Sequence, residues 1–376
     1  MLDKPSDLPK LHLPLNEDPQ QSYTLPSGYY TDPAIYELEK EMIFYRTWQY
    51  ICHVSEVAKS GDYVTMRICD QNVFVMRGED GGLRAFYNVC RHRAHELLKD
   101  GSGSVKNVIT CPYHAWTYEK TGALRGAPNS DKRPEFCKEN FGLRQIRLEE
   151  FLGCVFVNLD DNAVGLNVQA GDLADDIRKH VPYLNDLQPT GSRFIDPHIN
   201  AGWKVVVDNY VECYHCSHAH PAFSSMICMD TYELDTFGLW SRQYGRDINA
   251  KNDAYPVDPN GNMFSAFWFL WPNMTFNILP GGKGMTVLAI RPVKHDESLF
   301  EGTTLSADGK VSKEQQAYGT NVLGPEDTAL CESVQRGLMS KGYDQGPIIV
   351  DPDRDGVGEK AIHHFHRLVQ GALATL

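Results

Sequence analysis

Two short residue pairs constrain this chain more than any other stretch. They are Cys90-Arg91-His92 and, after a gap of eighteen residues, Cys111-Pro112-Tyr113-His114. Each pair offers one thiolate and one imidazole. Four such donors suit a tetrahedral zinc site of the Cys₂His₂ type. The pairing suits a second arrangement better. Two loops, each with one Cys and one His, can place both sulfurs on one iron and both imidazoles on another, which is the ligation of a Rieske [2Fe–2S] centre.

The rest of the chain limits the alternatives. It has 376 residues and a formal net charge of −13. That length allows two domains. The charge disfavours a nucleic-acid partner, because phosphate binding needs basic patches. Ten cysteines occur, but the start MLDKPSDLPK has no apolar signal segment. The expectation is therefore a reducing cytoplasm, without disulfides and with the paired cysteines as metal ligands. The most apolar run, 264–272 (FSAFWFLWP), is too short to span a bilayer, so no membrane partner is expected.

Along the chain, 1–31 reads as an extended arm, and Asp32-Pro33 opens a helix with Asp as its N-cap. Strand-like runs follow at 63–68, 73–77, 83–89 and 155–159, separated by turn signals such as Gly81-Gly82. The second half mixes helix candidates (173–180, 202–214, 327–339, 359–373) with strand candidates (264–270, 274–278, 286–291). The fold class is α+β. The expected division is an arm and helix at 1–42 that pack with the third part, a β domain at 43–160, and a domain at 161–376 with an antiparallel sheet flanked by helices.

A second cluster lies in Asp208-Asn-Tyr-Val-Glu212-Cys-Tyr-His215-Cys-Ser-His-Ala-His220. Read as helix, Glu212 and His215 share a face. Pro221 favours a break just after His220. Two imidazoles and a carboxylate form the facial triad of non-haem Fe(II) oxygenases, which leaves positions open for O₂. His218 is read as a surface residue or one that backs the ligands, His95 is left unassigned, and His363, His364 and His366 are read as solvated or helix-packing residues rather than ligands.

The flanks CRHRAHELL and CPYHAWTY, with Glu212-x-x-His215-x₄-His220, resemble the Rieske non-haem iron oxygenases from about residue 40 to the end. That resemblance implies several things. Cys90, His92, Cys111 and His114 would hold the cluster. His215, His220 and, from the segment GPEDTALCESVQ, Asp327 would hold a mononuclear iron. Asp327 would also open a helix whose Leu330, Val334 and Leu338 face the core. Glu212 would be a bridge between the iron site of one subunit and the Rieske His of the next, in a homotrimer. The family usually has Asp there. No G-x-G-x-x-G occurs, so NAD(P)H would act through a separate flavin/iron-sulfur reductase.

The runs DNYVECYH, ESVQRGL and WPNMTFN resemble the branch of that family acting on quaternary ammonium compounds. The resemblance implies hydroxylation of a betaine- or carnitine-like small molecule, with N-demethylation releasing formaldehyde. Cations of that kind are held by aromatic faces. Tyr210, Phe267, Trp268, Phe269, Trp271 and Phe276 are the candidate pocket residues. Three other readings stay open: an aromatic ring-hydroxylating oxygenase, a Rieske electron-transfer protein without catalytic iron, and a zinc-binding module.

Overall fold

The structure, a computed structural model, describes residues 8–191, 193–195 and 198–374. Residues 1–7 of the expected arm lie outside the described part. The chain divides into two units, Phe44–Asn167 and Met1–Ile43 with Val168–Leu376.

The unit Phe44–Asn167 is built from β-branched and aromatic runs broken by turns. Its strands are β1 (Gln49–His53), β2 (Asp62–Ile68), β3 (Gln71–Arg77), β4 (Leu83–Tyr87), β5 (Ser102–Ser104), β6 (Ile109–Thr110), β7 (Thr117–Tyr118), β8 (Leu124–Gly126), β9 (Gln145–Phe151) and β10 (Cys154–Asn158). Seven of them form one sheet in the order β1-β10-β9-β4-β3-β2-β5, and β6-β7-β8 form a second. Every neighbouring pair is antiparallel. Phe74, Phe86, Ile109, Trp116 and Tyr118 pack into one apolar cluster that also takes in Cys90 and Cys111. Those two cysteines are therefore seated in core, with their loops above it.

The other unit is organised on a second antiparallel sheet. Its strands are β11 (Gln188–Pro189), β12 (Phe194–Ile195), β13 (Tyr232–Thr236), β14 (Trp240–Gly245), β15 (Ser265–Leu270), β16 (Met274–Ile278), β17 (Gly284–Lys294) and β18 (Glu297–Ser306). The order is β11-β18-β17-β16-β15-β14-β13, with β12 on β18. Alternation sends successive side chains to opposite faces. On one face, Trp268 meets the helix Leu173–His180: its Nε1–H donates to Asp176 Oδ2 at 2.7 Å and its ring lies 6.0 Å from that of His180. On the other face, Phe267 meets Phe223, and Phe269 and Trp271 meet Phe365.

The N-terminal segment belongs to this unit. Asp32 caps the helix Pro33–Glu39 by accepting from Ala34 N–H at 2.8 Å. Glu39 at its end is fully buried and accepts from Trp203 Nε1–H at 2.8 Å and from Lys204. That pair anchors the start of the helix Trp203–Tyr210. Removing one partner of such a buried pair costs about 3–5 kcal/mol. Gly202 precedes the helix at a close approach, where a Cβ would lie 2.3 Å from His295 O.

Candidate metal centres

The two loops of the β unit share one construction. Cys90 N–H donates to His95 O at 2.8 Å and Ala94 N–H donates to Cys90 O at 3.1 Å. Cys111 N–H donates to Trp116 O at 2.8 Å and Ala115 N–H donates to Cys111 O at 3.0 Å. Ala94 and Ala115 both take the left-handed conformation, at φ 55° and 54°. Each loop is thus closed by the same pair of backbone bonds, with its cysteine at the inner end. Cys90 and Cys111 are 3% and 2% exposed, whereas His92 is exposed and His114 half-buried. The His92 and His114 ring centroids lie 4.7 Å apart. Trp116 stacks on His92 at 5.0 Å. Tyr118 Oη lies 3.2 Å from Cys90 Sγ and accepts from Arg91 N–H at 3.0 Å. Burial pushes the Cys90 thiol up; Tyr118 and the backbone at His92 oppose that, and the nearby Cys111 adds to it. Two sulfurs buried in core with two imidazoles facing outward fit the Cys₂His₂ donor set of a Rieske cluster, which these four residues would hold.

The other centre is gathered from distant parts of the chain. The helix Trp203–Tyr210 ends two residues short of Glu212, not at 214. Glu212 and His215 meet in a turn rather than on a helix face. Glu212 Oε2 accepts from Tyr214 N–H and from His215 N–H, and Oε1 accepts from His215 Nδ1–H. A carboxylate that folds back on the next backbone amides competes with the helix, which is why helical spacing misleads here. Cys213 and Cys216, expected as reduced, are joined by a disulfide with Cα atoms 4.9 Å apart. Three-residue spacing across this turn brings them within bridging range. A short helix, Cys216–Ala219, leads to His220, and Pro221 opens the next helix, Pro221–Met226.

Asp327 sits in the first turn of the helix Gly324–Leu338. His215 Nε2 lies 3.1 Å from His220 Nε2 and 3.6 Å from Asp327 Oδ1, and His220 Nε2 lies 2.9 Å from that same oxygen. All three donor atoms fall within 4.8 Å of one another. The outer nitrogens are held by carboxylates: His215 Nδ1 by Glu212, and His220 Nδ1–H by Glu326 Oε2 at 2.7 Å. Ionised carboxylates only accept, so each Nδ1 carries hydrogen and each Nε2 is left for the centre. This is the carboxylate–histidine arrangement that orients metal ligands. Burial disfavours charge on His215, but Asp327 and Glu212 outweigh it and push the imidazole up to about 10. Burial likewise raises Asp327, and the two imidazoles overcome it and hold the carboxyl below its ordinary range. A divalent cation among these atoms takes the place of the protons they would otherwise share. The donor set fits non-haem Fe(II).

Several expectations change. On the Asp327 helix, Leu330 and Val334 are 37% and 52% exposed, and the buried stripe is Cys331, Gln335 and Leu338. Gln335 turns inward because its Oε1 accepts from Gly202 N–H at 2.9 Å. Of the pocket candidates, Trp268 faces the helix Leu173–His180, and Phe276, its direct cross-strand partner, shares that face. Both point away from the face that meets Phe223, the helix partner just beyond His220. Phe269 and Trp271 are on the right face but are packed against Phe365. Phe267 packs on Phe223, three residues after His220, and Tyr210, which ends the helix before Glu212, donates through Oη to Asn277 Oδ1 at 2.6 Å. His95 and His218 are exposed. His363 lies 2.8 Å from Asn16 O through its Nε2, and the buried His366 lies 2.8 Å from Tyr30 Oη and 3.0 Å from Asp208 Oδ1. Sequence reasoning missed Glu326 as the partner of His220; its only signal was an acid beside Asp327.

The geometry agrees with what this chain is similar to. Residues 47–146 match the Rieske [2Fe-2S] domain family, and 184–375 match the catalytic domain of the ring hydroxylating alpha subunit. The chain belongs to the Rieske non-haem iron oxygenases, oxidoreductases that use a [2Fe–2S] cluster and a mononuclear iron to incorporate O₂. It is 41% identical over 360 residues to the carnitine monooxygenase oxygenase subunit of Acinetobacter pittii, covering 94% of this chain and 95% of that one. It is 31% identical to the chloroplastic choline monooxygenase of Beta vulgaris, covering 93% of this chain and 76% of that one. A crystal structure of a quaternary ammonium Rieske monooxygenase with L-carnitine superposes with a TM-score of 0.86 at 38% identity, covering 97% of this chain and 99% of that one.

Proposed function

We propose that this chain is the terminal oxygenase of a multicomponent system acting on a small quaternary ammonium compound, betaine- or carnitine-like. Cys90, His92, Cys111 and His114 hold the cluster, and His215, His220 and Asp327 hold the iron. The observation that carries this reading is the convergence of those last three donor atoms within 4.8 Å, with both outer imidazole nitrogens held by carboxylates. The relatives named for carnitine and choline support the substrate class.

The iron supplies O₂ activation when bound, and the cluster supplies electrons singly. The chain's own residues do the positioning. Glu212 and Glu326 fix the two imidazoles. Phe267 and Tyr210 border the site and offer rings to a cation. Hydroxylation of a carbon bonded to the quaternary nitrogen consumes O₂, two electrons and two protons and yields water and a carbinol. The carbinol then loses its C–N bond. At an N-methyl group the products are formaldehyde, the demethylated amine and a proton.

Electrons come from a separate flavin/iron-sulfur reductase that takes hydride from NAD(P)H. In a homotrimer, Glu212 links an iron-ligand histidine to a Rieske histidine of the neighbouring subunit. Its carboxylate already serves His215 and two backbone amides, and an ionised carboxylate has about four acceptor positions, so one stays open for a partner N–H. The test is purified protein with a generic reductase, NADH and a panel of methylated amines. Formaldehyde and free trimethylamine are both assayed, since they report which carbon is hydroxylated. A cis-diol from an aromatic substrate, with no amine turned over, would replace this reading.

A further inference from the structure

One buried phenol beside the iron ligands has no partner. Tyr318 is 4% exposed, and its hydroxyl makes no hydrogen bond among the described residues. It sits in an apolar cluster with Cys213, Cys216, Phe223, Tyr232 and Tyr255, which flanks the segment carrying His215 and His220. The other two phenols of that cluster are satisfied: Tyr232 Oη donates to Gln243 Oε1 at 3.3 Å and Tyr255 Oη to Pro280 O at 3.0 Å. Burying a hydroxyl unpaired is unfavourable, so a lone exception in a site asks for an explanation.

The backbone explains how Tyr318 comes to be there. It ends the helix Lys313–Tyr318, nine residues before Asp327. Nine residues of regular α-helix amount to about two and a half turns, which would put the two side chains on opposite faces. The intervening segment Gly319–Leu323 is instead a π-helical turn, closed by Gly324 N–H donating to Gly319 O. Such wide turns are frequent at functional sites, and this one rotates Tyr318 out of opposition to Asp327. Burial, then the charges of Glu326 and Asp327, hold the Tyr318 phenol above its ordinary range, so its oxygen lies within reach of the centre's field. Neither carboxylate bonds it among the described residues: Glu326 accepts from His220, and Asp327 lies against both imidazoles.

We infer that Tyr318 is a substrate-positioning residue whose hydroxyl donates a hydrogen bond to an oxygen function of the substrate, a carboxylate or hydroxyl. This rests on the quaternary ammonium reading above. A quaternary nitrogen has no N–H and no lone pair, so only an oxygen elsewhere on such a molecule can satisfy the phenol. Tyr318 thereby selects quaternary ammonium compounds that carry oxygen over those that do not.

The experiment uses the holoenzyme, wild type and Tyr318→Phe, with two probes of matched chain: γ-butyrobetaine and butyltrimethylammonium. Binding is measured by calorimetry, which does not depend on turnover, alongside KM and kcat. Iron content and the Rieske EPR signal check that the variant is intact. Loss of a hydrogen bond to a charged group should weaken γ-butyrobetaine by roughly ten- to hundred-fold. Butyltrimethylammonium should bind both proteins alike. Equal weakening of both probes, or no weakening of either, overturns the assignment of Tyr318 while leaving the substrate class standing. Wild-type protein that binds neither probe overturns the substrate class itself and this inference with it.

Discussion

The two candidate metal centres are built in opposite ways. The cluster loops are local: Cys90 and Cys111 each close a tight loop by the same two backbone bonds, and both belong to one buried cluster with Phe74, Phe86 and Tyr118. The mononuclear site is non-local: His220 meets Asp327 across 107 residues of sequence. Its imidazoles are aimed by side-chain carboxylates rather than by backbone closure. A locally closed loop keeps its shape when a neighbour changes. A site joined from separate elements depends on each of them, and on charges that must be paired to stay buried.

The largest effect should come from cutting either centre outright. Cys111→Ala should abolish the Rieske EPR signal and turnover. Asp327→Ala should remove the mononuclear iron and turnover while the Rieske signal stays. Loss of both signals in both variants would break the picture of two separately built centres. Iron analysis and EPR of the purified variants decide it.

Next in size is Glu212→Ala. It should keep the cluster and bind substrate, lower iron affinity to the degree Glu326→Ala does because His215 loses its carboxylate, and in iron-loaded protein slow electron passage from cluster to iron severely. Glu212→Asp should fall between, having a shorter arm. The measurement is stopped-flow reoxidation of reduced, substrate-bound protein by O₂. Wild-type reoxidation in Glu212→Ala would leave Glu212 a residue of the turn alone.

A smaller loss is expected at Glu326. Glu326→Ala removes the carboxylate that orients His220 and should lower iron affinity about 10- to 100-fold. Glu326→Gln keeps an acceptor oxygen and should recover part of it. The cluster, whose four ligands lie in other loops, should be unchanged in both. Chelator competition followed by iron analysis measures the difference, and equal affinity in all three proteins would remove the orienting role.

The smallest effect concerns pH. Glu359 is half-buried, and that burial raises its carboxyl to about 7; Ile349 N–H, donating at 2.7 Å, opposes the rise, while Glu212 and Asp208 add to it. A carboxyl raised in the folded state binds its proton more tightly there than when unfolded. Its contribution to stability is whole below the unfolded value and is lost as pH rises to about 7. Glu359→Gln should therefore stabilise the protein at pH 8 by about 1 kcal/mol, allowing for solvent screening, with little change at pH 5. Thermal melts at both pH values test the sign.

Much of the secondary structure could be read directly. The helix Leu173–His180 and the strand Met274–Ile278 stand where periodicity puts them. Asp32 caps its helix because an Asx residue before proline is a local instruction. The pocket was the part that could not be read. The run Phe267–Trp271 alternates in strand fashion, so Trp268 must face opposite to Phe267, Phe269 and Trp271, but alternation does not say which set faces the site. On the Asp327 helix two apolar stripes were available, and both include Leu338; a single hydrogen bond from Gly202 to Gln335 selected the stripe that turns Leu330 and Val334 outward.

Read alone, the chain narrowed the candidate donors to a few residues. Cys, His and acidic residues at short spacings allow few chemistries, and the C-x-H and C-x-x-H loops close on themselves wherever they are placed. Only the tertiary structure decided the partners. It brought Asp327 to His220, gave Glu326 to that histidine's other nitrogen, folded Glu212 back onto its own turn, and left the Tyr318 hydroxyl buried and unpaired among the described residues. Those contacts depend on which elements pack together, and packing is settled by the whole buried surface rather than by any window of sequence.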